Sequence, residues 1–181
     1  MIKNKTTLFL CLALISVSFS SAQTASLGVT GGLTTIFETK EFSPVDTQDS
    51  NIGFHIGAFT QFELSEHFYA QPELTFTFAS DVSIVALNAI LEYELSRGLG
   101  LQFGPQFGLI SGDEIDTAEA LFGDNVDTLN IQLALGLSYD INDSLFIQSR
   151  YGLQINDHYS GDVDEASFTL SSLTLGLGYA F

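Results

Sequence analysis

The chain has 181 residues, 45% of them hydrophobic and only 15% charged, which is too apolar for a disordered segment and amounts to one domain. Lys plus Arg number 5 against 22 Asp plus Glu, a formal net charge of −17 that repels nucleic acid, so a nucleic-acid partner is excluded. Past residue 22 no window approaches the ~18 consecutive apolar residues of a membrane helix, so the apolar content must be spread over short pieces.

The first piece is an address. Lys3 and Lys5 precede an apolar run from Thr6 to Val17, and Ser20, Ser21 and Ala22 follow as small residues before Gln23. This is the pattern of a cleavable secretory signal peptide over 1–22, leaving a mature domain over 23–181. Cys11, the only cysteine, follows Leu10 inside the run, whereas a lipoprotein needs its cysteine after the run and behind a small residue. Removal of 1–22 leaves three cations, Lys40, Arg97 and Arg150, against all 22 acids, a net charge of −19 with no thiol for a disulfide.

Eight alternating segments follow in order, at about 26–37, 52–64, 68–78, 83–95, 99–109, 128–139, 144–155 and 167–181. In the second, Ile52, Phe54, Ile56, Ala58, Thr60, Phe62 and Leu64 share one face and Gly53, His55, Gly57, Phe59, Gln61 and Glu63 the other, the period of two that defines a strand. The third sets Phe68, Ala70, Leu74, Phe76 and Phe78 against Tyr69, Gln71, Glu73, Thr75 and Thr77. The fifth sets Leu99, Leu101, Phe103, Phe107 and Leu109 against Gly and Gln, and the sixth sets Leu129 to Tyr139 against Asn130, Gln132, Ala134, Gly136 and Ser138. Each supplies the ~9–11 residues of a tilted membrane strand. Connections alternate between long ones near 38–51, 110–127 and 156–166 and tight ones at 65–67, 96–98 and 140–143, with only 79–82 breaking the pattern. The expected fold is therefore all-β, an eight-stranded antiparallel up-and-down transmembrane β-barrel with long loops outside and tight turns in the periplasm. A soluble lipocalin-type barrel would turn its bulky face inward, but here the second face is Gly, Gln, Asn, Ser and Thr, and the bulky face wants lipid. Phe62, Phe68, Tyr93, Tyr139, Tyr179 and Phe181 lie on the bulky face near the tight turns, where a membrane interface places its aromatic girdle.

The final strand ends Thr174-Leu175-Gly176-Leu177-Gly178-Tyr179-Ala180-Phe181, which resembles the C-terminal signal of bacterial outer-membrane barrels. That resemblance implies that Thr174, Gly176, Tyr179 and Phe181 are read by the barrel assembly machinery during insertion. Two further stretches, Leu101-Gln102-Phe103-Gly104-Pro105-Gln106-Phe107-Gly108-Leu109 and Phe146-Ile147-Gln148-Ser149-Arg150-Tyr151-Gly152-Leu153, resemble the porin-like outer-membrane β-barrel family common in Bacteroidetes. That family includes relatives of the gliding and secretion component PorT. The fourth strand, Val85 to Leu95, lacks the proline that many of its members carry there.

Alternation points His55, Glu63, Glu73, Glu92 and Arg150 inward as a polar network of the lumen. A lone charge in so narrow an interior is costly, and Arg150 is the one inward cation, with forked donors suited to two carboxylates at once. An eight-stranded barrel is only wide enough for its own side chains, so a salt-bridged plug is expected over an ion-selective constriction. The long loops hold most of the acids: Glu38, Glu41, Asp46 and Asp49; Asp113, Glu114, Asp116, Glu119, Asp124 and Asp127; and Asp157, Asp162, Asp164 and Glu165. No stretch fits the twelve-residue calcium loop, so no cofactor is expected beyond loosely bound Ca²⁺ or Mg²⁺ at these acids. Asp157, His158 and Ser160 are neighbours in one loop without nucleophile–base geometry, so no enzyme is expected. The reading is a monomeric barrel in outer-membrane lipid with a structural or surface-interaction role. The alternatives are a small passive-transport barrel and an accessory barrel of a secretion system.

Overall fold

The computed structural model describes residues 25–42, 45–80, 82–112, 128–156 and 166–181. The expected signal peptide over 1–22 lies outside them, as do the acids of 113–127 and the loop 157–165 that carries Asp157, His158 and Ser160.

Eight strands form one closed barrel in chain order: β1 (Ala25–Phe42), β2 (Val45–Ser65), β3 (Phe68–Ala79), β4 (Val82–Ser96), β5 (Leu99–Ser111), β6 (Leu129–Asp140), β7 (Leu145–Gln154) and β8 (Ala166–Ala180). Every ladder is antiparallel, and β8 closes on β1 with Gly28 opposite Ala180 and Thr34 opposite Thr174. Closure leaves no sheet edge at membrane depth, which is what a β-structure needs where no water can satisfy its backbone. The tight turns at one end carry register shifts in β2 between Glu63 and Ser65 and in β4 between Glu94 and Ser96, and Gly98 takes a φ of 79°.

The outward face is apolar along every strand. Leu33, Ile52, Ile56, Leu109, Leu135 and Leu175 are all more than half exposed, and 31 large apolar side chains are exposed among the described residues. At roughly 1.5–3 kcal/mol for each such side chain, that face costs tens of kcal/mol in water and is stable in hydrocarbon. The girdle is present at the tight-turn end, where Phe68 and Tyr93 rings stand 5.0 Å apart and Tyr179 and Phe181 5.6 Å apart.

One connection differs from expectation. The stretch 38–51 is not a loop but a hairpin, with β1 running to Phe42 and β2 starting at Val45, paired through Glu38–Asp49 and Glu41–Asp46. β8 follows β1 over the same length, Ala166 lying opposite Phe42. From Phe37 to Phe42 the ladder adds about 17 Å beyond the apolar band at ~3.4 Å per residue. The residues of this stretch do not alternate, yet the backbone keeps its pairing.

The inner face has three zones. At the long-loop end Ile36, Ala79, Val82, Ile110 and Leu170 pack together with Ile84 beside them. The middle is polar. Near the tight-turn end Phe59 and Phe146 meet edge to face at 5.5 Å, and a Cβ at Gly28 or Gly178 would strike those rings at 2.2 and 2.1 Å.

Candidate functional site

The polar middle of the lumen is organised by Arg150 on β7. Its Nη1 and Nη2 each donate to one oxygen of Glu73 at 2.6 Å, its Nε donates to Gln102 Oε1 at 2.7 Å, and Nη2 also donates to Gln148 Oε1 at 2.6 Å. Arg150 is 5% exposed and Glu73 2%, so this is a buried, bidentate ion pair spanning the barrel from β7 to β3. The Glu73 carboxylate also accepts from Gln71 Nε2 at 2.6 Å and Asn88 Nδ2 at 3.3 Å. Such saturation is what allows a buried pair to repay the loss of its hydration.

Amides extend the network to other strands. Gln102 Nε2 donates to Glu92 Oε2 at 2.6 Å, Gln148 Nε2 to Thr30 Oγ1 at 3.0 Å, and Gln61 Nε2 to Gln71 Oε1 at 3.3 Å. Glu92 thus meets Arg150 only through Gln102. His55 is buried in the same zone, its Nδ1 2.9 Å from Thr34 Oγ1. Space for these groups comes from missing side chains: a Cβ at Gly136 would lie 2.6 Å from Arg150 Cγ, and one at Gly176 3.0 Å from His55 Nε2.

Glu63, expected in the lumen network, lies instead at the tight-turn rim beside the β2 irregularity, exposed and apart from Arg150. Its inward parity is real, but the strand has already left the enclosed zone. Glu38, expected among solvated loop acids, is 2% exposed in β1 and accepts from Asn51 Nδ2 at 3.1 Å. Asp49 is exposed on β2, as a surface acid should be. Of the terminal motif, Thr174 Oγ1 donates to the Arg150 carbonyl at 3.4 Å, Gly176 makes room for His55, and Tyr179 and Phe181 face outward. The Phe181 N–H donates to Leu27 O at 2.8 Å, extending the β8–β1 seam.

Sequence reasoning missed the glutamines. Gln71 and Gln102 are fully buried and Gln148 nearly so, and without Gln102 Arg150 and Glu92 would be disconnected. The signal was present as Gln recurring at inward positions of successive strands, where Ser or Thr would have been too short to reach across. It also missed the inward Ile36, Val82, Ile110 and Leu170, which make the outer mouth apolar. Below the network, a vestibule of about 540 Å³ at the tight-turn end is lined by Tyr69, Glu92, Glu94, Arg97 and Asp140 among others. No group of three or more metal-ligating side chains occurs among the described residues.

Residues 7–181 match the outer membrane protein beta-barrel domain family. The chain belongs to that family. It is a bacterial outer-membrane protein whose apolar outer face lies in the bilayer. Among solved structures it is similar to Neisserial surface protein A (NspA), at 13% identity over 87% of this chain and 99% of that one, with a TM-score of 0.51. It is also similar to Ail, the attachment invasion locus protein of Yersinia pestis, at 15% identity over 87% and 99% of the two chains, with a TM-score of 0.50. At these identities both likenesses concern the fold. No curated protein matches this family member.

Proposed function

We propose that this member is a non-enzymatic, monomeric barrel with a closed lumen, serving a structural or surface-interaction role in the outer membrane rather than passing solutes. The observation that carries the reading is Arg150. Its donors reach Glu73, Gln102 and Gln148 at 2.6–2.7 Å, so side chains fill the section a solute would have to cross. The apolar layer of Ile36, Val82, Ile110 and Leu170 adds a second barrier that water and ions do not favour.

The route there follows from the sequence: export on the 1–22 signal peptide, cleavage before Gln23, and insertion by the barrel assembly machinery reading Thr174, Gly176, Tyr179 and Phe181. Within the family, the Gly104-Pro105 and Arg150-Tyr151 strands support a place in the Bacteroidetes-type, PorT-like branch. A Cβ at Gly104 would strike Ala89 O at 2.0 Å, and Arg150 faces inward while Tyr151 faces lipid. The acids beyond the membrane, with few cations near them, favour loose bridging by Ca²⁺ or Mg²⁺ to one another or to anionic headgroups.

The test is capture of the intact protein from its own envelope with and without chelator, paired with solute uptake into liposomes. A reproducible chelator-sensitive partner and no uptake is the expected result. Measurable uptake with no partner overturns the reading in favour of transport.

A further inference from the structure

The eight strands do not rise to one height at the long-loop end. β1, β2 and β8 continue together to Phe42, Val45 and Ala166, whereas β3 ends at Ala79 and its uppermost pairing with β2 is Phe78 opposite Phe54. Among the described residues no strand pairs with β2 from Val45 to Ile52 on the side away from β1, so this stretch is an open sheet edge about 27 Å long at ~3.4 Å per residue. Which groups it presents follows from the β1–β8 seam. The Phe181 N–H donates to Leu27 O, so odd-numbered β1 residues bond β8 and even-numbered ones bond the odd-numbered residues of β2. Asp46, Gln48, Ser50 and Ile52 therefore turn their N–H and C=O groups to the open side. The opposite edge, on β8, is partly taken: the Leu170 N–H donates to Gln154 Oε1, and Leu170 O accepts from Gln132 Nε2 at 2.8 Å.

Folded proteins blunt an open edge with proline, lysine, a bulge or a covering segment. Residues 45–52 hold no Pro and no Lys, and their register with β1 is unbroken. They hold acid instead: Asp46 lies opposite Glu41 and Asp49 opposite Glu38, and like charges placed opposite each other repel. The chain's other outer segments do not suit this edge, since 113–127 carry six acids and 157–165 four, with no Lys or Arg in either. A second copy would bring the same acids. We propose that the open edge of β2 is a docking site for an extended basic segment of another protein, which adds a strand along Asp46 to Ile52 and sets Lys or Arg, three residues apart, against Asp46 and Asp49. Backbone pairing supplies the adhesion, and the charges select the segment and steer its approach. This deepens the surface-interaction role proposed above and rests on it, because that role sets the long-loop end outside the cell.

The intact barrel in lipid nanodiscs tests this by calorimetric titration with a synthetic eight-residue peptide of Thr and Val that carries Lys at its third and sixth positions. A copy N-methylated at every amide keeps the charges but cannot pair. Saturable binding of the first peptide and none of the second is expected. Ser50→Pro removes an edge N–H that β1 does not use and should abolish binding, and Asp46→Asn with Asp49→Asn should weaken it several-fold. Boiling-dependent mobility shows that each variant is folded. No saturable binding to the unmodified protein, or equal binding of the N-methylated copy, overturns the proposal. Slow hydrogen exchange at Gln48 and Ser50 in the peptide-free protein overturns it too, by showing that the chain covers its own edge. A dimer that Ser50→Pro dissolves would give the edge to a second copy instead. Solute uptake into liposomes, not peptide binding, decides the broader reading, so the two fail separately.

Discussion

Replacing Arg150 by alanine removes the one buried cation among the described residues and takes a donor away from three groups: the Glu73 carboxylate and the Oε1 atoms of Gln102 and Gln148. Breaking one side of a buried ion pair costs about 3–5 kcal/mol, because the surviving charge stays desolvated. Gln71 and Asn88 still donate to Glu73, which holds the loss within that range rather than above it. A loss of ~4 kcal/mol is roughly a thousand-fold in the folding equilibrium. Arg150→Lys keeps the charge but not the fork, so the bonds to Gln102 and Gln148 go and a loss of about 1–3 kcal/mol is expected. Adding Glu73→Gln to Arg150→Ala removes the stranded charge, so the double variant should be more stable than Arg150→Ala alone. Urea titrations of the barrel in lipid vesicles, read by the mobility difference between boiled and unboiled samples, compare these stabilities, and the Glu73→Gln single variant completes the cycle that gives the coupling. Equal midpoints for unmodified protein and Arg150→Ala, or no recovery in the double variant, would refute the assignment of Arg150 as the centre of the network.

Gly28→Ala should destabilise the barrel by about 1–3 kcal/mol, since the new methyl meets the Phe59 ring at 2.2 Å and the Tyr179 carbonyl at 2.5 Å; the same urea titration measures it. Gln154→Leu takes away the side-chain oxygen that accepts from the Leu170 N–H. The expected loss is about 1–3 kcal/mol, with hydrogen exchange at Leu170 accelerated, and unchanged exchange there would count against the bond. Phe181→Ala should slow insertion in cells, seen as less of the boiling-sensitive form, whereas Asp49→Asn on the exposed part of β2 should not; equal effects would argue against an insertion role for Phe181.

The sequence made the barrel legible because lipid imposes a period of two on every strand that crosses it. Leu129, Ile131, Leu133, Leu135 and Leu137 on β6 could face only hydrocarbon, and the same parity turned Arg150, Glu73, Glu92 and His55 inward. Parity says which way a residue points, not how deep it lies, and that is why Glu63 was placed in the network when it stands at the rim. It also fails where water replaces lipid. Glu38 to Asn51 reads as an acidic loop because nothing apolar alternates there, yet the ladder continues through it and buries Glu38. The pairing of Arg150 with Glu73 rather than Glu92 depends on how the strands are staggered around the barrel, a property of closure that no single strand records.

The central claim, that side chains close the lumen, is tested most directly by current recordings on the unmodified barrel in planar lipid bilayers. Insertion should be followed by no stable large conductance at any applied voltage that the bilayer tolerates, because the Arg150–Glu73 pair and its amides occupy the section between β3 and β7. A steady conductance, reproducible from single insertion events and blocked by small sugars passing through, would contradict the account.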